Sequence, residues 1–376
     1  MLKCRELPVA IVGGGIAGLA LGRALHQGSV PFSIAERRQS PADGGLAIIL
    51  PGNAIEALGR LGLREPIEAL GHPLRRRQYR TAGDKLLCQI DEDDFWGLAN
   101  RPRSVMRSDL TAMLADGSPT DQIRRGVEVQ KISLHPGHAA LQLTGGSSLD
   151  ARLVVGADGV NSQVRAQAFT GLGGATLASI ADSSWRFMAP NPGVDCWTLW
   201  AGTEAMVLLA PVGNDVVYGW AALIRKGSRG GTASELDRLT CEFPERVRRA
   251  IMHARSHRRS LYHSPLQEVL LDCWHRGRAV LIGDAAHATA PVWAQGAALA
   301  LEDAIVLAAS ISDHADVQAA LVDFQNKRIK RITHVRTLTD AMSRAAKLPP
   351  IVRNLLLPIV GPRRYRQTYG PLKEAA

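Results

Sequence analysis

Apolar positions along this chain follow two different periods. From Val9 to Val12 they run without a break, and glycines follow at 13, 14, 15 and 18. From Ile16 to His26 they recur at helical spacing, and Phe32–Ala35 is a second unbroken run that ends in Glu36. A short unbroken apolar run bounded by turn residues reads as a buried strand, and a three-to-four spacing reads as one face of a helix. Pro8–Arg37 is therefore a predicted strand–helix–strand unit. The glycine pair Gly44–Gly45 leads into another apolar strand, and Pro51 opens a helix with Ile55, Leu58 and Leu61 on one side. Leu153–Gly156 and Arg278–Ile282 are two more predicted buried strands.

The pattern changes after residue 180. Ser184–Met188, Cys196–Trp200, Ala205–Leu209 and Val216–Leu223 are strand-like, with no glycine fingerprint among them. They predict an antiparallel sheet forming a second layer. Side chains alternate along a strand, so Tyr218 and Trp220 share a face. At the far end, residues 348–366 mix apolar and cationic positions, and Pro358 predicts an interruption of any helix there. The expectation for this tail is a helix packed on the body with its basic face in solvent.

Composition narrows the picture. A length of 376 residues suits one large domain or two intimate ones. No run of 18 uncharged apolar residues predicts a spanning helix. The five cysteines are scattered without a CxxC, which suits a reducing cytosol and argues against a metal site. Net charge is +10, and residues 325–376, with twelve Lys/Arg against two acids, hold all of it. The rest is neutral overall, so no nucleic-acid partner is implied.

The chemistry begins at the first turn. In Gly13-x-Gly15-x-x-Gly18, Gly13 permits the tight turn, Gly15 lets a pyrophosphate approach the backbone, and Gly18 lets helix and strand pack closely. The helix N-terminus at Ile16 and Ala17 offers N–H groups to phosphate. Glu36, 23 residues after Gly13, can accept from ribose hydroxyls, with Arg37 beside it. This predicts dinucleotide binding without separating NAD from FAD. Arg107 opens a further helix, with Ser108 as a possible N-cap. Asp158-Gly159 makes a turn after one strand, and Gly283-Asp284 follows another. From there Pro291, Val292 and Trp293 lead into a small-residue helix at Gly296.

The order GxGxxG, Asp-Gly, Gly-Asp resembles the class A FAD-dependent monooxygenases of the p-hydroxybenzoate, salicylate and quinolone hydroxylase type, over about residues 7–345. The resemblance implies an α/β (α+β) fold with a Rossmann-like FAD-binding unit on a parallel sheet, an antiparallel substrate-binding sheet and C-terminal helices. It implies an FAD-binding domain of residues 1–75, 101–175 and 265–320, a substrate domain of 76–100 and 176–264, and a basic helical region of 321–376. It implies non-covalent FAD held by Glu36, Arg107, Val129, Asp158, Gly159, Gly283 and Asp284. The loop from Pro291 and the segment Gln295, Gly296, Ala297, Ala298 would lie along the flavin. Glu302, Asp303 and His287 are expected to be structural. NADH or NADPH would act as transient electron donor and O2 as co-substrate, with oxygen delivered from a flavin C4a-hydroperoxide. The alternative on the same fold is a non-hydroxylating reductase or a non-catalytic flavin-binding protein.

Two positions depart from the family pattern P-x-x-G-Q-G-x-N. Ala294 stands at a usual glycine and Ala298 at a frequent asparagine. Tyr218 is the expected catalytic phenol, orienting or deprotonating a substrate hydroxyl, and Arg186, Trp220 and Trp293 are expected at the substrate pocket. These candidates are mostly apolar, with no pair of arginines to clamp a carboxylate. That favours a larger, flatter, apolar heteroaromatic or phenol over a small aromatic acid. The expected protein is a cytoplasmic monomer or homodimer, with weak peripheral membrane contact through its basic C-terminus.

Overall fold

The structure, a computed structural model, describes residues 7–40, 46–117, 120–171, 174–177, 181, 183–224, 240–257 and 261–376. The predicted glycine pair at 44–45 lies outside the described residues. Seven helices carry the argument: α1 (Ile16–Gln27), α2 (Gly52–Arg60), α3 (Arg107–Ala115), α4 (Gln163–Ala168), α5 (Gly296–Asp313), α6 (Val317–Ala346) and α7 (Pro350–Tyr369).

Val9–Val12 is central in a six-stranded sheet. It pairs in parallel with Phe32–Glu36 on one side and Leu153–Gly156 on the other, and Ala279–Leu281 continues outward from Leu153–Gly156. All four inner strands are buried almost throughout, as a parallel sheet covered on both faces requires. The register matters for function. Val12 lies opposite both Ala35 and Gly156, and Gly156 lies opposite Leu281. The strands therefore end level, and the turns after them leave from one edge of the sheet.

The second sheet has seven strands, ordered Leu261–Pro265, Ser183–Pro190, Val216–Leu223, Ala205–Pro211, Trp197–Ala201, Arg76–Thr81 and Leu86–Asp91. Every pairing is antiparallel except Trp197–Ala201 with Arg76–Thr81. Its two faces serve different cores. Trp185, Phe187, Trp200, Val207 and Leu209 pack with the helix Glu245–Ser256, through residues such as Ala250 and Ile251. Met206, Leu208, Tyr218 and Trp220 join the main core on the other face, so Tyr218 and Trp220 share a face as their spacing predicts.

Two local expectations are corrected. Ser108 is not the N-cap of α3; Met106 holds that position, and Ser108 Oγ donates to Asp109 instead. Pro358 does not interrupt the last helix. α7 runs through both Pro358 and Pro362. Each proline removes an i→i−4 bond, but anchors on either side hold the helix on the large sheet. Arg353 donates to the carbonyls of Ala201 and Gly202, and Tyr365 and Tyr369 are fully buried. The outward face of α7 carries the expected exposed cations at Arg363, Arg364 and Arg366, but only past Val360. It is apolar from Ile351 to Val360, and Arg353 is buried.

Candidate functional site

Three turns converge at the common edge of the parallel sheet. Gly13 adopts φ +108°, and a Cβ there would lie 2.5 Å from the Ala157 carbonyl oxygen, so the glycine loop sits directly against the Asp158 turn. A Cβ on Gly18 would lie 1.9 Å from the Gly13 carbonyl oxygen, which makes that position glycine-only. Gly283 has φ +57° and packs against Ala17 and Ala300. Arg165 ties the second turn to the third, donating to the carbonyls of Val160 and Ala285.

Each carboxylate at this edge has a distinct setting. Glu36 accepts from Gly14 N–H at 2.7 Å and from Arg38 N–H at 2.8 Å, which fixes it over the glycine loop. A carboxylate has about four acceptor sites, so capacity remains. Asp158 Oδ2 accepts from the N–H groups of Gln163 and Val164 at the start of α4. Its Oδ1 is buried without a hydrogen bond of ordinary length. Burial pushes the Asp158 carboxyl up, against the pull of Ser162 and nearby N–H groups. Asp284 is exposed, and its Oδ1 would lie 3.8 Å from a Cβ on Gly296.

Gly296 starts α5, which has no side-chain cap and no acid in its first turn. The first intrahelical donor is Leu299 N–H to the Gln295 carbonyl. The N–H groups of Gly296, Ala297 and Ala298 are thus free within the helix, and the dipole adds partial positive charge. Ala294, just before, is held in the left-handed region at φ +54°, ψ +31°. That conformation suits a glycine, and the alanine carries strain. Gln295 is 2% exposed, and its amide exchanges hydrogen bonds with Asn53. Only its backbone is left for a ligand.

The turn and the helix are braced from below. Asp303 Oδ2 accepts from Gly283 N–H at 2.9 Å and contacts His287 Nε2 at 2.6 Å. Arg328 donates to Asp303 Oδ1 and pairs with Glu302, which also takes Arg331 and Asn53. Burial alone would raise the Asp303 carboxyl, but His287 and Arg328 outweigh it and hold it at about 2. The side chains of Glu302, Asp303 and His287 are thus engaged by the protein's own groups. Asn53 was not foreseen, because its partners lie more than 240 residues away.

On the large sheet, Arg186 pairs opposite Trp220, and Tyr218 sits opposite Met188 on the neighbouring strand. Burial pushes the Tyr218 phenol up, opposed by the charges of Arg186 and Arg107. Burial lowers the Arg107 guanidinium, Asp284 raises it, and Arg186 and Arg38 lower it further. The Arg107 side chain is exposed at the start of α3. Other predicted residues sit at the margins. Arg37 is exposed past Glu36. Val129 opens a strand just after Val127 N–H bonds to the Glu36 carbonyl. Pro291 is exposed, whereas Trp293 is 5% exposed and packs edge-on against Tyr369.

These features fit an FAD. The glycine loop admits a pyrophosphate, Asp158 Oδ1 and Asp284 are acceptors not consumed by the protein's own hydrogen bonds, and α5 presents bare donors. Comparison with known proteins agrees. A family described as "FAD binding domain" matches residues 6–338. The 2-heptyl-3-hydroxy-4(1H)-quinolone synthase of Pseudomonas aeruginosa is 30% identical over 340 residues, 88% of this chain and 87% of its own. The 3-amino-4-hydroxybenzoate 2-monooxygenase of Streptomyces cremeus is 29% identical over 361 residues, 92% and 89% of the two chains. The crystal structure of Klebsiella pneumoniae HpxO complexed with FAD and uric acid has a TM-score of 0.80 at 24% identity, covering 97% of this chain and 92% of that one. The chain belongs to the FAD binding domain family, as an FAD-dependent aromatic monooxygenase that uses NAD(P)H and O2.

Proposed function

We propose that the substrate is an electron-rich, planar heteroaromatic or phenol, held between the three turns and the cleft face of the large sheet. The observation that supports this reading is that Arg186 and Tyr218 share one face of paired strands in the large sheet, with Arg107 close enough to feel the charges of Arg186 and Asp284. FAD, when bound, supplies the redox chemistry, taking electrons from NADH or NADPH and passing them to O2. The protein's part is binding and orientation. Glu36 would accept from the adenosine ribose, Asp284 from a ribityl hydroxyl, and the backbone at Val129 would meet the adenine. Asp158 and Gly159 would border both cofactors, and Arg107 would meet the ribityl or phosphate region. The free N–H groups of Gly296–Ala298 would stabilise negative charge on the ring.

Tyr218 stays protonated at neutral pH because burial raises it. We assign it to orienting a substrate oxygen by donation rather than to deprotonating it. Arg186 would face the same oxygen or an acidic substituent, and Trp220 the ring. The relatives' names, a quinolone synthase and an aminohydroxybenzoate monooxygenase, support a ring with an acceptor oxygen. We further propose an FAD-binding part (1–75, 101–175, 265–320), a substrate part (76–100, 176–264) and a helical part (321–376), a division supported by the separation of the two sheets. The C-terminal excess of cations suits weak contact with an anionic membrane.

The test is NAD(P)H oxidation by the FAD-loaded protein over a panel of phenols, salicylates and alkylquinolones. The expected outcome is stimulation by a ring bearing an acceptor oxygen, with labelled oxygen from O2 in the product. Arg186→Ala should raise KM for that ring while FAD stays bound. A loaded protein that no ring stimulates would overturn the proposed substrate class.

A further inference from the structure

Seven of the fifteen exposed large apolar side chains among the described residues lie within 348–360. Soluble surfaces rarely concentrate apolar area this way without a partner. Two adjacent helical rows on α7 make the strip: Ile351–Leu355–Ile359 and Val352–Leu356–Val360. Ile351, Leu355 and Ile359 are 76%, 70% and 68% exposed. One step further along, the rows reach Arg363 and Arg364, both exposed, with Arg366 beside them. The opposite face is spoken for. It carries buried Arg353, Tyr365, Thr368 and Tyr369, and Gly361 abuts Cys88.

We infer that this outward face of α7 docks on an anionic lipid surface, with the two apolar rows in the headgroup boundary and Arg363, Arg364 and Arg366 at the phosphates. Charge selects the occupant. No Asp or Glu occurs between Asp340 and Glu374. A second copy would bring cations and apolar side chains to the same face and no counter-charge, whereas anionic lipid supplies one. Lateral docking is also the mode the helix allows, since no helix among the described residues is long and apolar enough to cross a membrane. The inner anchors remain in place, so docking needs no unfolding. The inference builds on the membrane contact proposed above and stands apart from the choice of substrate.

The test uses the full FAD-loaded chain with vesicles of phosphatidylcholine alone or mixed with phosphatidylglycerol. The chain should sediment with the mixed vesicles at low salt and be released at high salt. The double variant Leu355→Gln/Ile359→Gln, at exposed sites, should lower the bound fraction at least about tenfold. Arg363→Gln/Arg364→Gln should weaken binding and flatten its salt dependence. Flavin absorbance and ring-stimulated NAD(P)H oxidation, read on the same preparations, keep a failure of the hydroxylase reading distinct from a failure of docking. Wild-type protein that ignores anionic vesicles, or a Leu355→Gln/Ile359→Gln variant that binds them equally, overturns the inference. So does a dimer that the apolar double variant dissolves while neither form binds lipid.

Discussion

The phenol of Tyr369 donates a 2.7 Å hydrogen bond to the backbone carbonyl of Trp293. It ties the last helix to the loop that leads into α5. The tie is part of a buried clasp in which Arg77 pairs with Glu92 at 2.9 Å, Tyr365 donates to Glu92, and Trp96 Nε1 donates to Tyr365. Burial, eased by Arg77, pushes the Tyr369 phenol up to about 12, so it remains a donor at neutral pH. Tyr369→Phe should cost about 1 kcal/mol, or about 2 °C in thermal midpoint for a chain of this size. FAD should stay bound while less of the NAD(P)H consumed appears as hydroxylated product. Thermal unfolding and product-to-NAD(P)H ratios check this, and no change in either would make the contact idle.

Asp284→Ala should weaken FAD binding without unfolding the chain, because the carboxylate is exposed. A hydrogen bond to a charged acceptor is worth about 1.5–3 kcal/mol, about one to two decades in Kd. Flavin titration of the apoprotein measures it. A folded variant with wild-type affinity would remove Asp284 from the site.

Ala294→Gly should stabilise the protein. The native φ of +54° strains an alanine and suits a glycine. The gain should be about 0.5–1 kcal/mol after the larger unfolded-state entropy of glycine is counted. Denaturant midpoints of the two proteins decide it; a lower midpoint for the glycine variant would mean that the strain is not felt.

Much of the edge where the three turns meet was legible because its signals are local. Val9–Val12, Leu153–Gly156 and Ala279–Leu281 are short apolar runs, each ending at the glycine or aspartate that matters, and parallel pairing brings those ends level. Tyr218 and Trp220 were legible for the same reason, through a period of two. What was not legible depends on distant partners. Arg328 counts as a tail charge in the sequence but is 0% exposed between Glu302 and Asp303. Arg107 and Arg186 lie 79 positions apart, and only the tertiary fold brings their charges together. Pro358 read as a helix breaker, and it would be one in isolation; Arg353 and the buried tyrosines supply the restraint that a local rule omits.

Asp303→Asn tests the brace beneath the Gly283 turn and gives a pH signature. The carboxylate bonds Gly283 N–H, His287 and Arg328 in the core, and replacing it leaves Arg328 short of charge. The loss should be about 3 kcal/mol at neutral pH, in the range for breaking a buried ion pair. The folded carboxyl titrates at about 2, below its ordinary value of 3.8. A depressed acid adds stability that is fully present above about 4 and disappears as pH falls through about 2. That part amounts to about 2 kcal/mol. Wild type and variant should therefore differ most above pH 4 and converge by about 2 kcal/mol as the pH drops. Urea midpoints measured across this range are the readout. A gap that stays constant from neutral pH into the acid limb would mean that Asp303 is not held ionised by His287 and Arg328.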